Sequence, residues 1–265
     1  MSNVPNTLMA DIDPKAVVHP EARLGEGVKI GPFCTVGPQV TLGNGTELKS
    51  HVVVDGDTVL GEECVVWPFA SLGTQSQDLK FNGGTPGVRI GDRTTLREYA
   101  TVNAATADGD LTKVGNDCLL MAYSHVAHDC IVGDGVIMAN AATLAGHVIV
   151  EDYAILGGLT GVHQFVTVGT LSITGGCSKV VQDIPPYMTA DGNPLKIRGI
   201  NKIGLERKGI SSETIKALRD VYKLVYREKM GVKDMMEASQ KSIPRLPEVE
   251  RLESFIETSE RGVTR

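Results

Sequence analysis

Apolar side chains recur at every sixth position over most of this chain. Between Ile12 and Val180, twenty-five of twenty-nine such positions are apolar, with Asp78, Gly84, Asp108 and Thr174 the exceptions. A 42% apolar composition would supply roughly twelve by chance. Two residues before each of these positions the side chain is small or β-branched, as at Ala22, Val28, Cys34, Thr46, Cys64, Cys118, Cys130 and Ala142. One residue after, glycine recurs, as at Gly25, Gly31, Gly43, Gly61, Gly115 and Gly133. A period of six fits neither a helix nor a plain strand. It describes a short strand with two inward residues followed by a sharp bend, where glycine's conformational freedom is the expected device. Three such units close a triangular coil of eighteen residues, and coils stack about 4.8 Å apart as parallel strands. The pattern predicts a mainly β chain, a parallel β-helix.

Composition agrees with a fold of tight turns over small interior residues: thirty glycines stand beside one Trp and five Phe. Four of the five cysteines, Cys34, Cys64, Cys118 and Cys130, fall at the small inward position, which reads as buried thiols in a reducing compartment. No basic segment followed by an apolar run opens the chain, and no stretch of eighteen apolar residues occurs, so a cytoplasmic protein without a transmembrane segment is expected. The net charge of −6 argues against nucleic acid as the main partner.

Two segments, residues 73–89 and 104–113, break the period and return in register, and read as loops thrown outward from the column. After Val180 the period fades, and Ile184-Pro-Pro-Tyr ends it. Beyond lies helical patterning. Ser211 or Ser212 is an N-cap candidate before residues 213–226, Gly231 is read as ending that helix, a second helix is expected at 232–241, and Pro247 suits the first position of a third. The expected organisation is residues 1–190 as the β-helix and 191–265 as an α-helical C-terminal domain.

Four of six histidines, His125, His128, His147 and His163, lie within forty residues. With eighteen residues per coil, Asp110, His128, Gly146 and Gln164 stack on one edge of the prism, with Asp129, His147 and His163 beside them. His128 occupies a bend position and should point outward. An imidazole titrating near ~6.5 can take a proton from a hydroxyl and return it to a leaving group. Asp129 could fix its tautomer, and the Gly146 N–H offers a donor for a developing oxyanion. These roles together suit acyl transfer. A convex edge cannot surround a substrate, so a cyclic homotrimer with clefts between columns is expected, the 73–89 loop reaching across from the neighbouring wall.

Ser124-His-Val-Ala-His-Asp-Cys130, Ala142-Thr-Leu-Ala-Gly-His147, Gly161-Val-His-Gln-Phe165, Gln77-Asp-Leu-Lys80, Gly175-Gly-Cys-Ser178 and Gln182-Asp-Ile-Pro-Pro-Tyr187 resemble the UDP-N-acetylglucosamine O-acyltransferase family, which begins lipid A synthesis. The resemblance runs from about residue 12 to the C-terminus and implies a left-handed β-helix. It further implies that His128, with Asp129 beside it, is the general base on the glucosamine 3-hydroxyl (or 3-amine), that acyl carrier protein donates a (3R)-3-hydroxyacyl group, and that the Gly146 amide holds the oxyanion. Asp78, Lys80, His125, His147 and His163 would position sugar, acyl chain and phosphates; Gln164, Asn201 and Arg207 would hold the nucleotide. No cofactor and no metal are implied. Lys196, Arg198, Lys202, Arg207 and Lys208 form a basic stretch suited to the acidic carrier protein. Gly176, with Gly175, leaves room in the acyl groove and favours a long chain. Asn103-Ala104, Ile203, Lys208 and Pro194 depart from the family pattern, which puts the sugar nucleotide and the chain-length ruler in question.

Three other readings compete. The N-acyltransferase acting later in the same pathway shares the fold and donor but carries an extra N-terminal domain. A zinc enzyme of the γ-carbonic-anhydrase type needs three histidines; His128 and His163 are suitably spaced, but the third place is Val168. A non-catalytic scaffold needs no outward histidine cluster.

Overall fold

The computed structural model describes residues 10–265; residues 1–9 of the expected β-helix segment lie outside the described residues. The period of six becomes a left-handed parallel β-helix with three flat faces. The first face has eleven strands, from Asp11–Ile12 to Lys196–Ile200. The second has nine, from Val17–Val18 to Lys179–Val180, and the third has eight, from Arg23–Leu24 to Thr167–Val168. The chain visits the faces in that order on every circuit up to Lys179–Val180. Regular coils pair at a spacing of eighteen, as Val17 does with Thr35 and Val18 with Val36. Inward residues fill the column: Leu42, Leu60, Leu96, Leu120, Leu144 and Leu156 are at most 1% exposed, and Val28, Cys34, Val52, Cys64 and Ala142 are fully buried. Burial pushes the Cys130 thiol up to about 12 and that of Cys118 up to about 11, so both stay protonated.

The recurring glycine has a different task from the one its position suggested. At Gly43 and Gly61 the backbone is not left-handed. Instead, a Cβ on Gly43 would lie 2.4 Å from the carbonyl carbon and oxygen of Gly61, and one on Gly61 would lie 2.1 Å from Asp92 Oδ1. These glycines let one coil rest on the next. The left-handed bend comes two residues later and is carried mostly by ordinary side chains, among them Phe33, His51, Phe69, Asp129, His147 and Phe165, with φ between 59° and 65° where these six sit, and by glycine at Gly27, Gly45 and Gly135. Each such corner costs about 1–2 kcal/mol, offset by the core it closes. Gly43→Ala meets backbone rather than a movable side chain, so we expect a stability loss of about 1–3 kcal/mol. A lowered urea midpoint with an unchanged slope is the expected observation.

Both insertions are shorter than the sequence indicated. Residues 87–89 belong to strand Gly87–Ile90, which pairs with Asp57–Leu60 and Leu111–Val114, and residues 111–113 belong to the last of these. The first insertion thus runs from residue 75 to 86 and the second from 104 to 110. Apolar Val88 and Val114 are buried on a face that continues under both loops.

At the C-terminal end, the expected boundary at 190/191 falls inside strand Met188–Asp191. The next strand, Lys196–Ile200, turns back antiparallel and extends the first face before any helix forms. Helices α1 (Lys202–Arg207), α2 (Ser212–Tyr222), α3 (Val232–Ser242) and α4 (Pro247–Thr258) follow. Ser211 caps α2, accepting from the Thr214 N–H at 3.1 Å, and Pro247 occupies the first turn of α4. Gly231 caps the start of α3; the preceding helix has already ended in a π-helical turn at Lys223–Arg227. The tail returns to the column: buried Asp183 accepts from Thr167 N–H of the last third-face strand at 2.8 Å and from Ser259 Oγ at 2.7 Å.

Candidate active site

Each prism edge has its own chemistry. Between the first and second faces, Phe33, His51, Phe69, Tyr99 and Tyr123 stack with centroids 4.7–5.0 Å apart. Between the third and first faces, Asn and Asp side chains bridge coils: the Glu62 N–H donates to Asp92 Oδ1, Asp92 N–H to Asn116 Oδ1 and Asn116 N–H to Asp134 Oδ1, at 2.7–2.8 Å. The edge between the second and third faces carries His128, Asp129, His147 and Phe165. Both insertions leave the second face and re-enter on the third, so they overhang this same edge.

His128 points outward from its bend, yet its side chain is only 14% exposed because the insertions cover it. Its Nδ1 lies 2.7 Å from Asp129 Oδ2 and 3.0 Å from Thr106 Oγ1. Burial pushes the Asp129 carboxyl up, but hydrogen bonds from His128 and from the Thr106 N–H outweigh it and hold the group below the usual carboxylate range. An ionised carboxylate only accepts, so Nδ1 carries the proton and Nε2 the lone pair. Asp129 is fixed in turn by its own N–H, which donates to the fully buried Thr112 Oγ1 at 2.8 Å. His147 Nε2 stands 3.7 Å from Asp129 Oδ2, and its ring stacks on Phe165 at 4.7 Å and meets His128 edge-on at 5.3 Å.

Gly146 lies directly against the His128 ring, where a Cβ would be 2.3 Å from Cε1 and 2.5 Å from Nε2. Its N–H takes no hydrogen bond among the described residues, which leaves a donor next to the basic nitrogen. Asp78 comes from the first insertion of the same chain, with Oδ2 4.0 Å from His128 Nε2. The loop expected from a neighbouring wall is therefore part of the chain's own site. It is short and tied down: Asn103, 4% exposed, donates to Thr74 Oγ1 at 3.1 Å and accepts from Gln77 Nε2 at 3.3 Å. Lys80 is exposed on this loop, and its ammonium has no ion pair among the described residues.

His125 lies on the second face, Nδ1 2.7 Å from Thr101 Oγ1, and burial, with His128 nearby, pushes its imidazolium toward neutrality. His163 and Gln164 sit higher on the histidine edge, both exposed, with the Arg261 guanidinium 3.4 Å from His163 Nδ1. Three residues are not brought to His128. Gly176 is on the aromatic edge, preceding the Cys177 corner. Asn201 is 9% exposed and spends its amide capping α1, accepting from Gly204 N–H and donating to Leu171 O at 2.9 Å. Arg207 ends α1 beside Lys208, whose ammonium lies 3.3 Å from the Tyr153 ring centre on the edge between the third and first faces. Sequence reasoning missed Ser76, Thr106 and Arg261, each of which reaches the site only because an insertion or the tail folds back.

The model of UDP-N-acetylglucosamine O-acyltransferase domain 2 matches residues 183–264, and that of bacterial transferase hexapeptides (six repeats) matches 21–56 and 111–146. The acyl-[acyl-carrier-protein]–UDP-N-acetylglucosamine O-acyltransferase of Thermodesulfovibrio yellowstonii is 44% identical over 258 residues, covering 97% of this chain and all of that protein. The chain belongs to this acyltransferase family. The solved structure of LpxA from Acinetobacter baumannii superposes with a TM-score of 0.92 at 42% identity, covering 96% of this chain and 99% of that one. The UDP-N-acetylglucosamine acyltransferase of Bacteroides fragilis gives 0.93 at 37% identity, covering 96% and 100%.

Ligand atoms of His128, Asp129 and His147 all lie within 4.8 Å of one another, the spacing of a candidate metal site. Two ligands of one tetrahedral zinc, each bonded at about 2.0–2.1 Å, stand roughly 3.3 Å apart. The 2.7 Å between His128 Nδ1 and Asp129 Oδ2 is a hydrogen bond instead. No helix among the described residues is long and apolar enough to cross a membrane.

Proposed function

We propose that this acyltransferase moves a (3R)-3-hydroxyacyl group from acyl carrier protein to the 3-hydroxyl of UDP-N-acetylglucosamine, with His128 as general base. The observation that carries the reading is the His128–Asp129 pair with its free Nε2 against the Gly146 amide. Nε2 removes the hydroxyl proton as the oxygen attacks the thioester carbonyl. The Gly146 N–H donates to the resulting oxyanion, and collapse expels the pantetheine sulfur, which takes the proton from His128. Asp78 is placed to accept from a sugar hydroxyl, and Lys80 and His147 to position the sugar and phosphates. His125, neutral at working pH, can donate or accept without adding charge.

The acyl chain has a path across the second face. Gly161 stands there with nothing within 4 Å of an added Cβ, and Gly176 and Gly158 lie at the far edge. A long hydroxyacyl group is the donor that this reading favours.

Of the residues assigned to the nucleotide, Gln164 shares the edge of His128, whereas Asn201 and Arg207, with Lys208 of the basic stretch, sit by a different edge. A homotrimer in the cytoplasm resolves this, the third–first edge of one copy facing the histidine edge of the next and closing the groove with its α1 segment. Asn201 would then shape α1 rather than touch the base's own side of the cleft. The test is acyl transfer by the purified protein from a series of 3-hydroxyacyl carrier proteins to UDP-GlcNAc and to its 3-amino analogue. Turnover with one of these acceptors, favouring long donors, is expected; transfer to neither would overturn the reading.

A further inference from the structure

Thr106 of the second insertion joins three parts of the site that the chain separates widely. Its Oγ1 is 3.0 Å from His128 Nδ1 and 2.9 Å from Ser76 Oγ of the first insertion, and its N–H is 3.3 Å from Asp129 Oδ1. Ser76, 4% exposed, accepts from the Asp78 N–H at 3.1 Å. An arrangement in which every hydrogen finds an acceptor runs from the first insertion to Asp129. Asp129 accepts only, so His128 Nδ1–H points to it and is shared with Thr106 Oγ1. Ser76 Oγ, receiving the Asp78 N–H, turns its own hydrogen to Thr106, and the Thr106 hydroxyl hydrogen is left for the Asp129 carboxylate. Donors thus run from Asp78 N–H to Ser76, from Ser76 to Thr106 and from Thr106 to Asp129, which ends the series as acceptor, each bond polarising the next.

We propose that Thr106 is a positioning residue that holds the His128–Asp129 pair in its productive tautomer and couples it, through Ser76, to the loop that carries Asp78 and Lys80. This rests on His128 acting as the base. A hydroxyl at this point does two things that a carboxylate alone does not. It braces Asp129 from the second insertion, whose main-chain N–H reaches Oδ1 while His128 holds Oδ2, and it makes the base sensitive to the seating of the substrate loop. The groups that face His128 are Asp129, Asp78, His147 and His125. With the Thr106 hydroxyl removed, Asp129 loses a competing donor and attracts the protonated imidazole more strongly.

Thr106→Val keeps the shape and deletes the hydroxyl. We expect kcat with carrier-protein donor and UDP-sugar to fall about ten- to a hundredfold with a smaller change in KM. The acidic limb of the pH–rate profile should move to higher pH, and Thr106→Ser should restore both. Ser76→Ala should lower kcat less, and adding it to Thr106→Val should cost nothing further, because the relay is already cut. Wild-type turnover and limb in Thr106→Val would overturn the proposal. So would a rate loss with an unmoved limb that serine does not rescue, or full additivity of the two substitutions. Full activity in His128→Ala would instead remove the general-base reading on which it rests.

Discussion

His128→Ala is expected to fold and assemble like the parent and to lose acyl transfer by on the order of a hundred- to ten-thousandfold. Folding should survive because the ring contributes nothing to the column: the inward neighbours Val126 and Cys130 are fully buried without it. The fully buried core and the 18-residue register pass beneath the bend unchanged. Activity should not survive, because the His128 ring that lies against Gly146 takes the basic Nε2 with it when it is removed. His147, whose ring stands 5.3 Å away, approaches the same Asp129 carboxylate but at 3.7 Å, and its stacking on Phe165 holds it in place. It cannot swing in without breaking that stack. The measurement is initial rate against donor and acceptor concentration, with sedimentation or light scattering to confirm assembly. Near-parental kcat would remove His128 from the chemistry.

Gly146→Ala should be almost as damaging, for a geometric reason. The added methyl would sit 2.3 Å from His128 Cε1 and 2.5 Å from Nε2, closer than any two such atoms can stand. The backbone of Gly146 is held by its neighbours, since the His147 N–H donates to His128 O at 3.1 Å and the Phe165 N–H to Gly146 O at 3.2 Å. The imidazole therefore has to rotate, which breaks the 2.7 Å bond to Asp129 and carries Nε2 away from the amide. A displacement of about 1 Å can cost a hundredfold, and we expect at least that in kcat with little change in thermal stability. Gly43, which meets backbone on the next coil, should show the reverse: weaker folding and ordinary chemistry.

The β-helix was legible because its determinant is local. Leu42, Leu60, Leu96 and Leu120 are inward because each occupies the same place in a unit of six, and a one-residue slip would turn them out. Asp129 beside His128 needed only adjacency, and Gly146 above it only the coil length. The bend residue was misplaced by two positions because glycine signals both freedom of φ and lack of a side chain, and the sequence does not say which. Lys196–Ile200 was read as the start of a helical domain because five residues show too little of a strand's period of two to stand out after the period of six has ended. Residues 87–89 and 111–113 were read as loop since two exceptions to the repeat stood near them.

Sequence by itself determined the column, the outward direction of His128 and its pairing with Asp129, because these depend on register within eighteen residues. Only the tertiary structure decided that Asp78 reaches the base from the same chain and that both insertions overhang one edge. It also placed Ser76 and Thr106 in contact across thirty residues and set Asn201 and Arg207 on another edge altogether. The physical reason is that a repeat propagates by short-range packing, whereas an insertion folds onto whatever surface its own polar groups can satisfy. The path of such a loop is set by hydrogen bonds to partners far away in the chain, and no local pattern encodes them.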